Sequence, residues 1–469
     1  MVFSSPVFLF WFLPLVLFCY YIIAKPYRNY VLLVFSLLFY GWGEGRMLSI
    51  MLLSTLIIYF TGIFLESTNK LNQKKQILFL GVSAILLLLI YCKYSNFFID
   101  NYNFAANALG FNPIIWDKVV LPLGISFYTL HGMSYIIDVY RGHTSPQKNP
   151  LKLALYISFF PQLIAGPIIR YKDVEKQIDN RSIDLDLFVS GIKRFIIGLA
   201  KKVLIANMIG RITEFVFKMP VDELNAYWSW LSLVGIGVQL YFDFSGYSDM
   251  AIGIGRMFGF RFLENFNYPL ISQSMKEFWT RWHISLSTWF RDYLYYPLGG
   301  NRKGKLRMHI NLWIIFLLNG LWHGASWSFV IFGCYHGFLL TVERLGFSKV
   351  LQWLPRPFRS IYVFFGYAIG DILFSIDNYN HAFSFYKSLF NFSAPNPYSR
   401  IHLYLTNEWY FILSAGILLS MPFVEYCFSK INNIRTKSLF ETSALIILFV
   451  LSASELANSS YNPFLYFRI

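Results

Sequence analysis

Charge is what this sequence has least of. Only 14% of its 469 residues are Asp, Glu, Lys or Arg, against 56% hydrophobic and 20% aromatic. That balance excludes an ordinary soluble domain and a disordered chain, and describes a polytopic membrane protein. Acids are scarcer than bases, 25 against 40, but the resulting net charge of +15 is not a nucleic-acid signature. The bases collect in short loops between apolar runs, where the positive-inside rule puts them. Cysteine is scarce too. Cys19, Cys92, Cys334 and Cys427 are scattered through apolar segments, which reads as buried thiols with no disulfide or metal role. Internal repeats, low-complexity tracts and a separate soluble domain are missing. Gly253, Gly255 and Gly259 make no nucleotide loop, because no strand precedes them.

What is present is a series of apolar spans. The run Pro6 to Ala24 is followed by Lys25 and Arg28. Without a small-residue cleavage site, and with more spans following at once, it reads as a first transmembrane helix and not a removed signal. Lys25 and Arg28 place the first loop in the cytoplasm and the N-terminus outside. Spans near Tyr30 to Trp42, Met47 to Leu65 and Ile77 to Tyr91 follow, and Lys70, Lys74 and Lys75 fall inside, as alternation demands. Asn96 to Lys118 is mixed and predicts an external loop or interfacial helix. Leu121 to Arg141 carries Asp138 and His131, the latter read as a satisfied core residue. Leu153 to Arg170 holds Pro161 and Gly166-Pro167 inside its apolar run, which predicts a broken helix.

An amphipathic interval, Lys172 to Asp186, leads to a basic patch of Lys193, Arg194, Lys201 and Lys202. That patch suits anionic lipid heads or the phosphates of coenzyme A. Trp228 to Gly259 places Asp243 and Asp249 in apolar company, either paired with Arg256 or Arg261 or lining a reaction chamber. Further on, spans near Ile361 to Leu373 and Tyr410 to Phe428 frame an external loop, Ser375 to Glu408. Lys430, Arg435 and Lys437 mark a cytoplasmic loop, and a last helix, Leu439 to Leu456, ends in the tail SSYNPFLYFRI. The expectation is an all-α polytopic membrane protein of about ten to twelve transmembrane helices, with re-entrant or interfacial helices around a central funnel. It forms a single domain with N-terminal helices (1–170), a catalytic core (171–345) and C-terminal helices (346–469).

The organising stretch runs from Phe278 to Gly337 and holds four of the eight histidines. Between Ile310 and Leu340 there is no Asp, Glu, Lys or Arg, yet His323 sits near the middle. An ionisable side chain there points to function, although a lone membrane histidine can equally be neutral and bonded to a carbonyl. As one straight helix residues 310–340 would span about 46 Å, against a hydrocarbon core of roughly 30 Å. The run must therefore bend, tilt or break, most readily between Gly320 and Gly324. Upstream, Phe278 to Tyr296 is too polar to span lipid. At helical spacing Phe278, Trp282, Trp289 and Tyr293 make an aromatic stripe, while His283 and Ser287 share another face. Such a helix lies at the interface or lines a wet cavity. Gly299-Gly300 and the bases Arg302, Lys303, Lys305 and Arg307 then form a cytoplasmic turn.

FWTRWHISLSTWFRDYLYYPLGGNR, followed by NLWIIFLLNGLWHGASWSFVIFGCYHG, resembles the core of the membrane-bound O-acyltransferase family, in the bacterial branch of alginate O-acetylation. The resemblance covers about three-quarters of the chain, missing mainly Phe347 to Glu408. It implies that His323, in the WHG segment, is catalytic, and that the histidine of the RWH segment is His283. The family's upstream asparagine falls on Asn311, with Asn319 nearer in sequence. It further implies acetyl-CoA as donor with no bound cofactor, a periplasmic SGNH-hydrolase-like acetyltransferase partner, and a polysaccharide acceptor.

Acyl transfer from a thioester to a hydroxyl needs a base for the hydroxyl proton and donors for the oxyanion. His323 suits the base, and His283 or Asn311 would orient it or contact the carbonyl. Arg281, Trp282, Asp243, Ser287 and Trp322 are the candidate substrate-binding residues. Three other readings stay open at this point. They are a D-alanyl transfer protein of teichoic acid, a lipid or sterol acyltransferase, and a transporter or export scaffold in which the midplane histidines and Asp243 form a pathway.

Overall fold

The computed structural model describes residues 2–376, 378–393, 401, 405–459 and 461–463, and among them every regular element is a helix. Three runs are long and apolar enough to cross a membrane: Lys25–Glu66, Leu71–Ala108 and Ile434–Asn458.

The N-terminal part comprises α1 (Leu13–Ile22), α2 (Arg28–Glu44), α3 (Leu48–Glu66), α4 (Leu71–Ala108) and α5 (Ile125–Arg141). α4 runs well past the predicted span, taking in Asn96–Ala108 of the segment expected to be an external loop or interfacial helix, before an irregular stretch leads to α5. The proline-bearing segment is broken, as its composition predicts. α6 (Pro150–Ser158) stops at Phe159, α7 (Phe160–Leu163) is a single turn, and the amphipathic interval forms α8 (Tyr171–Asp179).

α9 (Leu185–Ala200), α10 (Asn207–Phe217) and α11 (Ala226–Met257) form the centre. α9 and α11 touch backbone to backbone. A Cβ on Gly198 would lie 2.5 Å from the Gly246 carbonyl oxygen, and one on Gly191 2.7 Å from that of Gly253. Gly253, one of the three glycines that make no nucleotide loop, thus serves close helix packing, which replaces the hydrophobic drive absent in lipid.

The organising stretch is not one helix before its basic turn. α12 (Met275–Arg281) and α13 (Ile284–Phe290) are separated at Trp282-His283, where His283 takes the left-handed conformation at φ 43°, and a π turn, Arg291–Tyr295, follows. The expected continuous aromatic stripe is therefore split, and Trp282 and His283 turn inward, 3% and 1% exposed. α14 (Gly304–His323) and α15 (Trp327–Val342) pack as a hairpin, broken where length required.

α16 (Ser348–Trp353), α17 (Arg356–Ser375), α18 (Tyr379–Ser388), α19 (Asn407–Leu419), α20 (Phe423–Ser429) and α21 (Ile434–Asn458) complete the chain. α19 and α20 are bent by 67°. The loop Ser375 to Glu408 and the C-terminal tail lie partly outside the described residues. The described part of the tail meets the N-terminal segment, Asn462 donating to the Ser4 carbonyl at 2.7 Å.

Candidate active site

His323 is the last residue of α14, and Gly324 leaves the helix in extended conformation. Two glycines fix the crossing of α14 and α15 just before it. A Cβ on Gly320 would lie 2.3 Å from the Phe329 carbonyl oxygen, and one on Gly333 2.3 Å from that of Phe316. His323 is 3% exposed. Its ring meets Trp322, Phe374 and Phe332 at centroid distances of 4.9, 5.4 and 5.7 Å.

Trp322 joins the two candidate histidines, its ring also lying 6.0 Å from that of His283. The left-handed backbone at His283 aims its imidazole inward, where Nδ1 is 3.1 Å from Asn265 Oδ1. Asn265 Oδ1 also accepts from the Ser285 amide at 3.1 Å and its hydroxyl at 2.9 Å. One carboxamide thus sets the imidazole and the start of α13 together.

A cavity of about 10 Å³ touches His323, Trp282, His336, Tyr367 and Asp371, with room for roughly one water. A larger groove of about 1010 Å³ is lined by Arg281, Arg356 and Arg359 together with Val234, Val238 and Phe364. Arg281 pairs with Glu277 at 2.9 Å and donates to the Asn267 carbonyl at 3.1 Å.

The structure brings His323, His283, Trp322 and Trp282 together and sets Arg281 at the groove. Asn311, Asp243 and Ser287 are not brought to this cluster. Asn311 lies three turns before His323, about 18 Å along the helix, and donates to the Gly300 carbonyl at 2.9 Å, tying down the double-glycine turn. Asn319, one turn from His323, is buried. Asp243 pairs with Lys202 at 2.5 Å, a partner that neither sequence reading named, both side chains being 2% exposed. Ser287 donates to the Trp282 carbonyl at 3.4 Å.

The basic patch on α9 is largely neutralised as well. Lys193 pairs with Glu441, Arg194 with Asp249 and Glu264, and Lys201 with Asp249. His131, read as a satisfied core residue, is fully buried, but neither ring nitrogen has a hydrogen-bond partner among the described residues.

Lys93, His336 and Asp371 went unremarked in the sequence. Lys93 is buried in α4, two residues past the predicted end of its span, and donates to Ser126 Oγ at 2.8 Å and to the Trp322 carbonyl. A lysine at the edge of an apolar run looks like an interfacial anchor, so only the greater helix length reveals it. His336 stood in the charge-free run and Asp371 in an apolar span, which is the signal that could have marked both.

With this geometry in hand, comparison with known proteins is informative. The profile of the membrane-bound O-acyltransferase family matches residues 34–369. A probable alginate O-acetylase of Pseudomonas putida is 40% identical, over 100% of both chains. A peptidoglycan O-acetyltransferase of Helicobacter pylori is 36% identical over 76% of this chain and 74% of its own. A teichoic acid D-alanyltransferase of Bacillus subtilis is 35% identical over 50% of this chain and 62% of its own.

Proposed function

Because this chain belongs to the membrane-bound O-acyltransferase family, we propose that it takes acetyl from cytoplasmic acetyl-CoA and passes it across the bacterial inner membrane to O-acetylate a polysaccharide. The observation that carries this reading is the position of His323. It ends α14 within the charge-free run 310–340, and the opposite end of that helix begins in the exposed basic turn Arg302 to Arg307. By the positive-inside rule that turn is cytoplasmic, so His323 stands between the two faces of a multi-pass protein with about ten to twelve crossings.

In this reading Arg281, Arg356 and Arg359 receive the phosphates of the donor, which guanidinium groups bind well. The acceptor hydroxyl approaches from the far side, loses its proton to His323 and attacks the acetyl carbon, and the carbon–sulfur bond breaks. His283, locked by Asn265 and sharing Trp322 with His323, faces the developing oxyanion. Asn311 is too far along α14 for that role. That acceptor hydroxyl is supplied on the periplasmic side, and the ester so formed hands its acetyl group, through an SGNH-hydrolase-like partner, to a hydroxyl of the polymer, which frees the acceptor hydroxyl again. No cofactor is needed beyond the donor itself, and the remaining partners are membrane lipids, not nucleic acid.

The test is to incubate the purified protein in lipid with radiolabelled acetyl-CoA, beside His323→Ala and His283→Ala, and to measure coenzyme A released and label bound. The expected result is release by the wild type that is lost in His323→Ala while the variant remains folded. Normal release by that variant would remove His323 from the chemistry. No release from the wild type, even with a periplasmic partner present, would move the weight to another donor, such as a D-alanyl carrier.

A further inference from the structure

A second polar group, from α15 and α17, faces the cavity beside His323. His336 lies on α15 nine residues past its start, about 14 Å back toward the basic end of the hairpin. It is 1% exposed, and neither of its ring nitrogens has a hydrogen-bond partner among the described residues. Asp371 on α17 is 2% exposed, and its Oδ2 likewise has none. Both side chains line the small cavity that His323 also touches.

The imidazole is placed there by a cradle. A Cβ on Gly370, the neighbour of Asp371, would stand 2.6 Å from His336 Nε2, so only glycine lets the ring settle against α17 at this point. Phe332 and Trp279 hold its faces with edge contacts at 4.7 and 5.1 Å. Polar atoms buried without partners are rare and call for an explanation, and a cavity that admits roughly one water supplies one. A water there can bridge His323 and His336, with Asp371 opposite.

We propose that His336, supported by Asp371, is the acid that protonates the departing thiolate, fed by His323 through one water. The proposal rests on the acetyl-transfer reading above. There the hydroxyl and the thioester approach from opposite faces, so the proton that leaves one must travel past His323 to reach the other. The balance is complete. The acceptor oxygen forms a bond to the acetyl carbon, and its proton goes to His323. His323 passes a proton through the water to His336. The carbon–sulfur bond breaks, and His336 delivers its proton to the sulfur, leaving a neutral thiol and restoring both imidazoles. Asp371, buried on the same cavity with Oδ2 open, accepts a hydrogen bond there and steadies the transient imidazolium, which the apolar surroundings would otherwise disfavour.

The experiment uses the full chain in lipid nanodiscs and compares wild type, His323→Ala, His336→Gln, Asp371→Asn and Gly370→Ala. Steady-state acetyl-CoA cleavage is measured in mixtures of light and heavy water. The relay predicts that kcat falls about 100- to 10,000-fold in His336→Gln, as for a general acid, and falls in Asp371→Asn as well, with KM for acetyl-CoA within about twofold. The dependence of wild-type rate on heavy-water fraction is curved, from several protons in flight, and becomes linear in both variants. Gly370→Ala, which only displaces the ring, follows them in part.

A raised KM with normal kcat, or a lowered kcat with the heavy-water dependence unchanged, assigns the pair a packing role and overturns the relay. A second measurement does not need turnover. In infrared spectra the Asp371 carboxyl band, identified by its loss in Asp371→Asn, must shift in His336→Gln, and an unmoved band also overturns the proposal. Failure of the underlying reading looks different: His323→Ala then cleaves acetyl-CoA as fast as wild type, or the wild type does not cleave it.

Discussion

The ammonium of Lys93 donates to the main-chain carbonyl of Trp322, the residue immediately before His323. This ties α4, from the N-terminal part of the chain, to the end of the helix that presents the candidate base. Ser126 supplies a second acceptor. Lys93→Met is expected to leave the fold intact and to slow acetyl-CoA cleavage roughly tenfold, about 1.4 kcal/mol of barrier. The magnitude is that of one hydrogen bond to a charged group. Cleavage rates of the variant in lipid, beside its size-exclusion profile, check this. An unchanged rate would limit Lys93 to packing.

The Lys202–Asp243 pair calls for a different outcome. Both groups are buried between α9 and α11, and removal of one partner strands the other charge. Asp243→Asn is expected to destabilise by about 3–5 kcal/mol, whereas Lys202→Met combined with Asp243→Leu restores most of the loss. Thermal unfolding in detergent reads both. If the double variant is no better than the single, Asp243 has a role beyond its partner.

These pairs show what a sequence can and cannot disclose. The break at His323-Gly324 was legible because charge, length and glycine spacing all act within one segment, and the broken α6–α7 segment was legible through Pro161 for the same reason. The break at Trp282-His283 was not, since neither glycine nor proline marks it, and the left-handed His283 is held there by Asn265, eighteen residues earlier. The resemblance put the family's asparagine on Asn311, but three helical turns separate it from His323. Asp243 was legible as a buried acid, yet its partner sits forty-one residues away on another helix. His336 and Asp371 line one cavity with the imidazole seated against Gly370, and no local pattern encodes that.

The α14–α15 crossing supports a prediction about packing. Gly333→Ala places a methyl group where the Phe316 carbonyl oxygen would lie 2.3 Å away, and backbone, unlike a side-chain tip, cannot turn aside. The helices must separate, at an overpacking cost of about 1–3 kcal/mol. The melting temperature falls, and activity falls further, because the displaced helix carries His323. Gly304→Ala is a control with open space around it but a positive φ of 86°. It is expected to strain only the start of α14, with activity per folded molecule unchanged.

The last prediction concerns pH and the basic face. Asp292 accepts from Arg170 Nη1 at 2.7 Å and from Arg291 Nε at 2.8 Å, joining the start of α8 to the turn after α13. Burial alone would raise its carboxyl, but the hydrogen bonds and charges of Arg291 and Arg170 outweigh it and hold the group below the usual carboxylate range. A depressed folded-state value means that the unfolded chain binds the proton more readily. The stabilisation is therefore complete above the unfolded value, about 3.9, and is lost as pH falls through the lower folded value. At neutral pH Asp292→Asn is expected to unfold at lower temperature than wild type. The gap should narrow as pH drops below about 4, and 1 M salt should narrow it as well, since the site is partly open to solvent. Thermal unfolding at several pH values measures it. A gap that stays constant down to pH 3 would show that Asp292 acts through its shape and hydrogen bonds, not through its charge.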